Sequence, residues 1–168
     1  ICIAAQLESA RSYRGYDAFS MIPPPSEHDG AKAHARYEHI ASGSSKGIGE
    51  DRYYGYVQDL QSRVRKNFED FGLRVDQQTI ELIPGLYEIT LPTQPLFPIA
   101  FAHIDCDWYE SVALCLQFVY QRLSRFGTII VDDYNDWAGC KQAVDEFCAQ
   151  HEDLVIRSTN PHALLVRI

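Results

Sequence analysis

The sequence predicts an α/β protein whose sheet is parallel or mostly parallel and covered by helices on both faces. Two observations carry that expectation. Short apolar runs of strand length alternate with longer segments of helical period through the C-terminal two-thirds of the chain. The composition is that of an ordered globular domain, with 46% hydrophobic and 23% charged residues. A length of 168 residues suits one domain spanning 1–168.

Taken in order, Ile1–Ala10 has helical composition, and Arg14–Asp17 reads as a short strand running into the Pro-rich loop Ser20–Pro25. The stretch His28–Gly49 is polar, rich in Ala, His, Gly and Ser, and without a clear period. Residues 28–50 are therefore expected to form a mobile lid or loop. Asp51–Gly72 reads as a helix with Val57, Leu60, Val64, Phe68 and Phe71 on one face and Gly72 as its stop. Thr79–Ile83 is a short strand ended by Pro84-Gly85. Ile99–Ile104 is continuously apolar, as expected of a strand buried on both faces. Glu110–Leu123 returns to helical period, and Thr128–Val131 is a second buried strand. Gly139–Gln150 is a helix with Ala143, Val144 and Phe147 inward, followed by closing strands Leu154–Arg157 and Ala163–Ile168.

Charge and cysteine usage exclude several functions. The net charge is −8 and the sequence pI about 5.1, which disfavours a nucleic-acid partner, because affinity for a phosphate backbone needs a basic face. No apolar run approaches the roughly 18 residues of a membrane span, so no membrane partner is expected. Five scattered cysteines without C-x-x-C imply reduced, buried thiols in a cytoplasmic protein and no zinc site. Oxygen ligands are then the plausible metal chemistry.

The acids fall where such chemistry would need them. Strand Ile99–Ile104 runs into Asp105-Cys106-Asp107, and strand Thr128–Val131 runs into Asp132-Asp133. Ligands of open α/β sheets bind beyond the carboxyl ends of the strands. If the two strands are parallel neighbours, about 4.8 Å apart, Asp105 meets Asp132 and Asp133 at one edge. Three carboxylates there repel one another unless a cation or shared protons intervene, and oxygen-only ligation suits Mg²⁺, with Ca²⁺ or Mn²⁺ as alternatives. Solvated loop acids are the bland alternative. Asp17, after the first short strand, is a further strand-end acid that could accept from ribose hydroxyls or simply form a turn. The Gly-rich run Gly43–Gly49 looks like a dinucleotide loop, but Ala33–Ser42 contains His34, Arg36, Glu38 and His39 and cannot be the buried strand that such a loop requires.

Several blocks, in order, resemble one family. They are Tyr16-Asp17-Ala18-Phe19-Ser20-Met21-Ile22-Pro23-Pro24-Pro25, Val64-Arg65-Lys66-Asn67-Phe68, Pro84-Gly85-Leu86-Tyr87-Glu88-Ile89-Thr90-Leu91-Pro92, Ile104-Asp105-Cys106-Asp107-Trp108-Tyr109-Glu110-Ser111, Val131-Asp132-Asp133-Tyr134 and Gly139-Cys140-Lys141-Gln142-Ala143-Val144. The run of them is similar to the macrocin O-methyltransferase family. That resemblance implies a class I, Rossmann-like methyltransferase sheet using S-adenosyl-L-methionine and Mg²⁺. It implies a small-molecule hydroxyl acceptor, a sugar or polyol of a natural product, and leaves self-association open. Asp105, Asp132 and Asp133 match the family's metal-binding acids, Asp17 the acid at the cofactor ribose, and Gly85-Leu86 the turn at the adenine. Ala18 and Met21 depart from the usual Ser and Gly. The family's Gly-rich loop and first strand are expected just before Ile1, with Ile1–Ala10 as the remainder of the following helix.

The resemblance also implies a mechanism, in which a divalent ion stabilises the acceptor alkoxide and Asp105 serves as general base, ligand and cofactor neighbour. His103 and Asp107 are expected on the opposite face and rank behind it. Trp108, Tyr134 and Trp137 could stack on adenine or an acceptor ring, or simply pack. Two rivals remain: a metal-dependent glycosyltransferase using the D-x-D of Asp105-Cys106-Asp107, and a non-catalytic methyltransferase-like domain binding through Tyr53-Tyr54-Gly55-Tyr56.

Overall fold

All six expected strands form. The computed structural model describes residues 11–47, 49, 51–76 and 78–168. In chain order its elements are β1 (Tyr13–Asp17), α1 (Gly30–Ala41), α2 (Leu60–Asp70), β2 (Ile80–Pro84), the single turn α3 (Tyr87–Thr90), β3 (Ile99–Ile104), α4 (Tyr109–Tyr120), β4 (Leu123–Val131), α5 (Ala138–Gln150), β5 (Leu154–Ser158) and β6 (Ala163–Arg167). The helix expected over Ile1–Ala10 lies outside the described residues. The elements group into two compact units, residues 11–22 with Ala41–Thr93, and Pro23–Ile40 with Gln94–Ile168.

In the first unit β1 and β2 pair in parallel, with Asp17 opposite Pro84 at their carboxyl ends. Buried Val75 and Ile80 pack with Tyr13, Phe68, Leu73 and Leu82. The helix expected from Asp51 begins only at Leu60. Asp59 takes a left-handed φ of 60°, which interrupts helical geometry. Ahead of it Tyr54–Tyr56 forms a 3₁₀ turn around the buried Tyr53 ring, whose centroid lies 5.1 Å from that of Tyr56. Gly72 stops the helix as expected, at φ 75°, its N–H donating to Glu69 O at 2.8 Å. Phe71 is 63% exposed and does not belong to the apolar face.

The second unit carries a four-stranded sheet of order β3-β4-β6-β5, in which β3 and β4 are parallel and β6 runs antiparallel to both its neighbours. Ile129 and Val131 of β4 and Leu165 of β6 are fully buried, as are Val112 and Leu116 of α4 and Cys140 and Val144 of α5. Each such aliphatic side chain contributes roughly 1.5–3 kcal/mol of burial free energy. Two expectations for the strands need correction. β3 is not buried on both faces: it is the terminal strand of this sheet, and Phe101 is 56% exposed. β4 begins earlier than expected, because Ile99 pairs with Leu123 and Phe101 with Thr128, so residues 124–127 bulge out of the ladder. The ladder resumes at Thr128, where the sequence reads as strand. α4 ends at Tyr120, and the apolar period runs on past the turn into buried Leu123.

The largest correction concerns residues 28–50, expected to be an irregular lid or loop: Gly30–Ala41 is helical. The turn before it is closed by a capping box, with Ser26 Oγ accepting from His28 N–H (3.3 Å) and Asp29 Oδ2 accepting from Ser26 N–H (2.8 Å). Alanines at 31, 33, 35 and 41 favour the helix. Only Ala33 and Ile40 within it are buried, so the apolar period that reveals most helices is nearly absent. The Gly-rich run follows this helix, not a strand, and Lys46 bridges antiparallel to Arg52, which rules out a dinucleotide loop.

Candidate functional site

The parallel register of β3 and β4 sets Ile104 opposite Val131, so the residues that follow leave the sheet level with each other. Asp105, Asp132 and Asp133 each offer a carboxylate oxygen, and these oxygens lie within 4.8 Å of one another. The three acids expected to meet at one edge are thus brought together. Asp132 and Asp133 open a 3₁₀ turn, Asp132–Asn135, that continues directly from β4.

Crowding leaves an electrostatic mark. Burial, then the charges of Asp107 and Asp105, push the Asp133 carboxyl up to about 7. Asp105 is exposed at its tip, yet the packed strand end around it and then the Asp132 charge raise it as well. A carboxyl raised on folding costs stability above the ordinary carboxylate range near 4, in full above pH 7, and that cost is relieved as pH falls through 7. Asp133→Asn is therefore expected to stabilise the metal-free protein by about 1 kcal/mol at pH 8, after allowance for solvent screening, and to change nothing near pH 4. Urea melts at the two pH values would show it.

Asp107 also belongs to this cluster but is held differently. Its φ of 58° turns the chain so that its N–H donates to Asp133 Oδ2 at 3.3 Å. Its Oδ1 accepts from the Trp137 indole N–H at 2.7 Å. Of the D-x-D, Asp105 stands with Asp132 and Asp133, and Asp107 is bonded to Trp137 and Asp133. Of the neighbouring aromatic residues, Trp108 and Tyr134 are packed inside and Trp137 is half-buried. Trp108 is 2% exposed, donates to Pro23 O at 2.9 Å and meets the Trp137 ring edge-on at 5.1 Å. Tyr134 is buried and donates to Asp145 Oδ1 at 2.8 Å. Contact with Cys115 and burial push the Cys106 thiol up, and burial does the same at Cys140, which keeps soft sulfur ligands protonated.

Two supporting residues were not legible as functional. Asp29, only 2% exposed, accepts from the Tyr109 N–H (2.6 Å) at the start of α4. It also lies against Gly139 in the first turn of α5. Its carboxylate accepts at the N-terminus of α4 and from the Ser26 N–H, and so pins the turn from β3 into α4. The Ser26…Asp29 spacing was the available signal. His162, on the β5–β6 turn, has no local signal. Its Nδ1 lies 3.0 Å from Asp132 Oδ1 and 3.0 Å from Asp132 O. His103, expected to face away, stands 3.6 Å from Asp132 Oδ1, because alternate strand residues share a face and residues 103 and 105 are alternate.

In the first unit Asp17, Gly85 and Leu86 come together at the carboxyl end of the β1–β2 pair. Asp17 Oδ1 accepts from Phe19 N–H at 2.6 Å, and Asp17 O accepts from Gly85 N–H at 2.9 Å. Gly85 sits at φ 135°, where a Cβ would approach Thr90 Cγ2 to 2.8 Å, so glycine is required there. Leu86 caps α3, its carbonyl accepting from the Thr90 N–H at 3.0 Å.

No helix among the described residues is long and apolar enough to cross a membrane. A family model described as macrocin O-methyltransferase matches residues 3–155. The chain is 35% identical over 116 residues to a demethyldecarbamoylnovobiocin O-methyltransferase of Streptomyces niveus, covering 62% of this chain and 44% of that protein. It is 38% identical over 88 residues to a mycinamicin III 3''-O-methyltransferase of Micromonospora griseorubida, covering 52% of this chain and 34% of that protein. The solved structure of the O-methyltransferase NovP superposes with a TM-score of 0.77 at 26% identity, over 99% of this chain and 65% of that one. The chain spans less than half the length of the curated relatives it matches. Its α/β architecture is the Rossmann-like one of class I O-methyltransferases, and the chain belongs to the macrocin O-methyltransferase family.

Proposed function

We propose that this chain carries the metal and cofactor machinery of an S-adenosyl-L-methionine- and Mg²⁺-dependent O-methyltransferase acting on a hydroxyl of a sugar-bearing natural product. The observation that carries the proposal is the meeting of Asp105, Asp132 and Asp133 at two level strand ends. The donor set fits a hard divalent cation: three carboxylate oxygens, those of Asp105 and Asp133 raised in pKa by burial and by neighbouring charge, with the neighbouring thiols held protonated. Family membership and relatives named for methylating mycinamicin and a rhamnosyl-tetracenomycin support the acceptor class.

Asp105, Asp132 and Asp133 would hold the ion, which when bound lowers the cost of ionising an acceptor hydroxyl. Asp105 would take the hydroxyl proton, since it stands at the strand end where the acceptor would be ionised. Asp17 would accept from the cofactor's ribose hydroxyls, and the Gly85-Leu86 turn would border its adenine. S-adenosyl-L-methionine supplies a methyl on a sulfonium, so the protein's work is alignment of the two reactants. Asp107 stays with Trp137 and the Asp133 carboxylate, which disfavours a glycosyltransferase built on the D-x-D.

The test is calorimetric titration of the protein with Mg²⁺, S-adenosyl-L-methionine and a sugar nucleotide, for wild type and Asp132→Asn. Mg²⁺ binding at least tenfold weaker in the variant is expected, with S-adenosyl-L-methionine bound and the sugar nucleotide not. Equal Mg²⁺ affinity in the two proteins would remove the metal reading. Preference for the sugar nucleotide would favour the glycosyltransferase.

A further inference from the structure

The geometry points to His162 as a positioning residue for the metal centre: its Nδ1–H holds the main chain of Asp132 by a hydrogen bond while the imidazole rests against the Asp132 carboxylate. The inference rests on the metal reading above and adds a residue to it. Nδ1 lies 3.0 Å from the Asp132 carbonyl oxygen and 3.0 Å from its Oδ1. The carbonyl oxygen can only accept, so the proton sits on Nδ1, and Oδ1 stands beside the same ring nitrogen as an ion-pair contact. An aspartate whose main chain is bonded to a ring that also lies against its carboxylate loses rotamer freedom that a lone surface aspartate keeps. Because the hydrogen bond goes to the main-chain carbonyl, the Asp132 carboxylate keeps its lone pairs to offer a cation. Partners behind a ligand are known to orient it and raise its basicity.

The position of His162 is itself held. Asn135 ends the same 3₁₀ turn that Asp132 begins, and its side-chain amide donates to Thr159 O (2.6 Å) and Pro161 O (2.8 Å). The β5–β6 turn is therefore fastened to the acid-bearing turn at both ends, by Asn135 reaching out and His162 reaching back. His103 is the nearest competitor for this role, but at 3.6 Å from Oδ1 it is beyond hydrogen-bond distance. A residue on the antiparallel β6 side of the sheet thus supports a site formed by the parallel pair β3–β4.

Two measurements decide the proposal. In the metal-free protein, long-range ¹H–¹⁵N spectra are expected to show His162 as the Nδ1–H tautomer, and the Nε2–H tautomer would overturn it. Mn²⁺ and Mg²⁺ titrations should find His162→Ala binding about tenfold more weakly than wild type. His162→Asn, whose amide can occupy the Nδ1–H position, should stay within about threefold, whereas His162→Gln should fall with Ala. Wild-type affinity in His162→Ala, or an Asn variant as weak as Ala, would overturn the assignment. Absence of ion binding by wild type itself would overturn the metal reading and this role with it, whereas a failure of His162 alone leaves the Asp132→Asn loss intact.

Discussion

Asp105→Asn is expected to lower methyl transfer by about 10³-fold while leaving the fold unchanged, the range set by losing a general base at a metal-assisted site. The substitution keeps the side-chain shape and removes both a charge from the carboxylate cluster and the group that would take the acceptor proton. Asp105 is exposed and lies just beyond β3, so no packing is disturbed. Removing one of the repelling carboxylates should, if anything, raise the melting temperature of the metal-free protein. Activity within threefold of wild type, measured with saturating Mg²⁺ and S-adenosyl-L-methionine, would exclude Asp105 from the chemistry. Loss of activity with loss of folded protein would point to a structural role instead.

Gly139→Ala is expected to destabilise the protein by about 3 kcal/mol, the upper range for overpacking a filled site, and to weaken Mg²⁺ binding as a consequence. A Cβ on Gly139 would run into the Asp29 carboxylate, with Asp29 Cγ at 3.0 Å and Asp29 Cα at 3.1 Å. Neither the α5 backbone nor the capped Ser26–Asp29 turn can yield cheaply. Displacing Asp29 would break its hydrogen bond to the Tyr109 N–H and leave a buried charge short of a partner. That bond anchors the turn holding Asp105 and Asp107, so the damage should reach the acids without touching them. Urea unfolding with a Mg²⁺ titration checks both effects, and a loss below about 0.5 kcal/mol would show that the contact relaxes.

The acids were legible because each stands directly after a short apolar run, and the parallel pairing of those runs is the ordinary outcome of strand–helix–strand alternation. α5 was legible to within a residue, since Ala143, Val144 and Phe147 repeat at helical spacing and are buried. α1 was not. A helix that buries only Ala33 and Ile40 writes almost no period into its sequence, and its clue was the Ser26–Asp29 cap. The start of α2 was misplaced because Asp59 takes a left-handed conformation and the Tyr53 ring is buried, neither of which hydrophobic spacing records.

The sequence by itself determined the strand set, the family and the three carboxylates, because these depend on local pattern: apolar runs, the acids that end them and the order of short motifs. Only the tertiary structure decided which residues stand behind those acids. Asp29 reaches Tyr109 across 80 positions, His162 reaches Asp132 across 30, and His103 joins the cluster through strand pleating and β-pairing. Such partners are chosen by where the packed sheet and its turns bring the chain back. No spacing along the chain encodes a contact made by folding it.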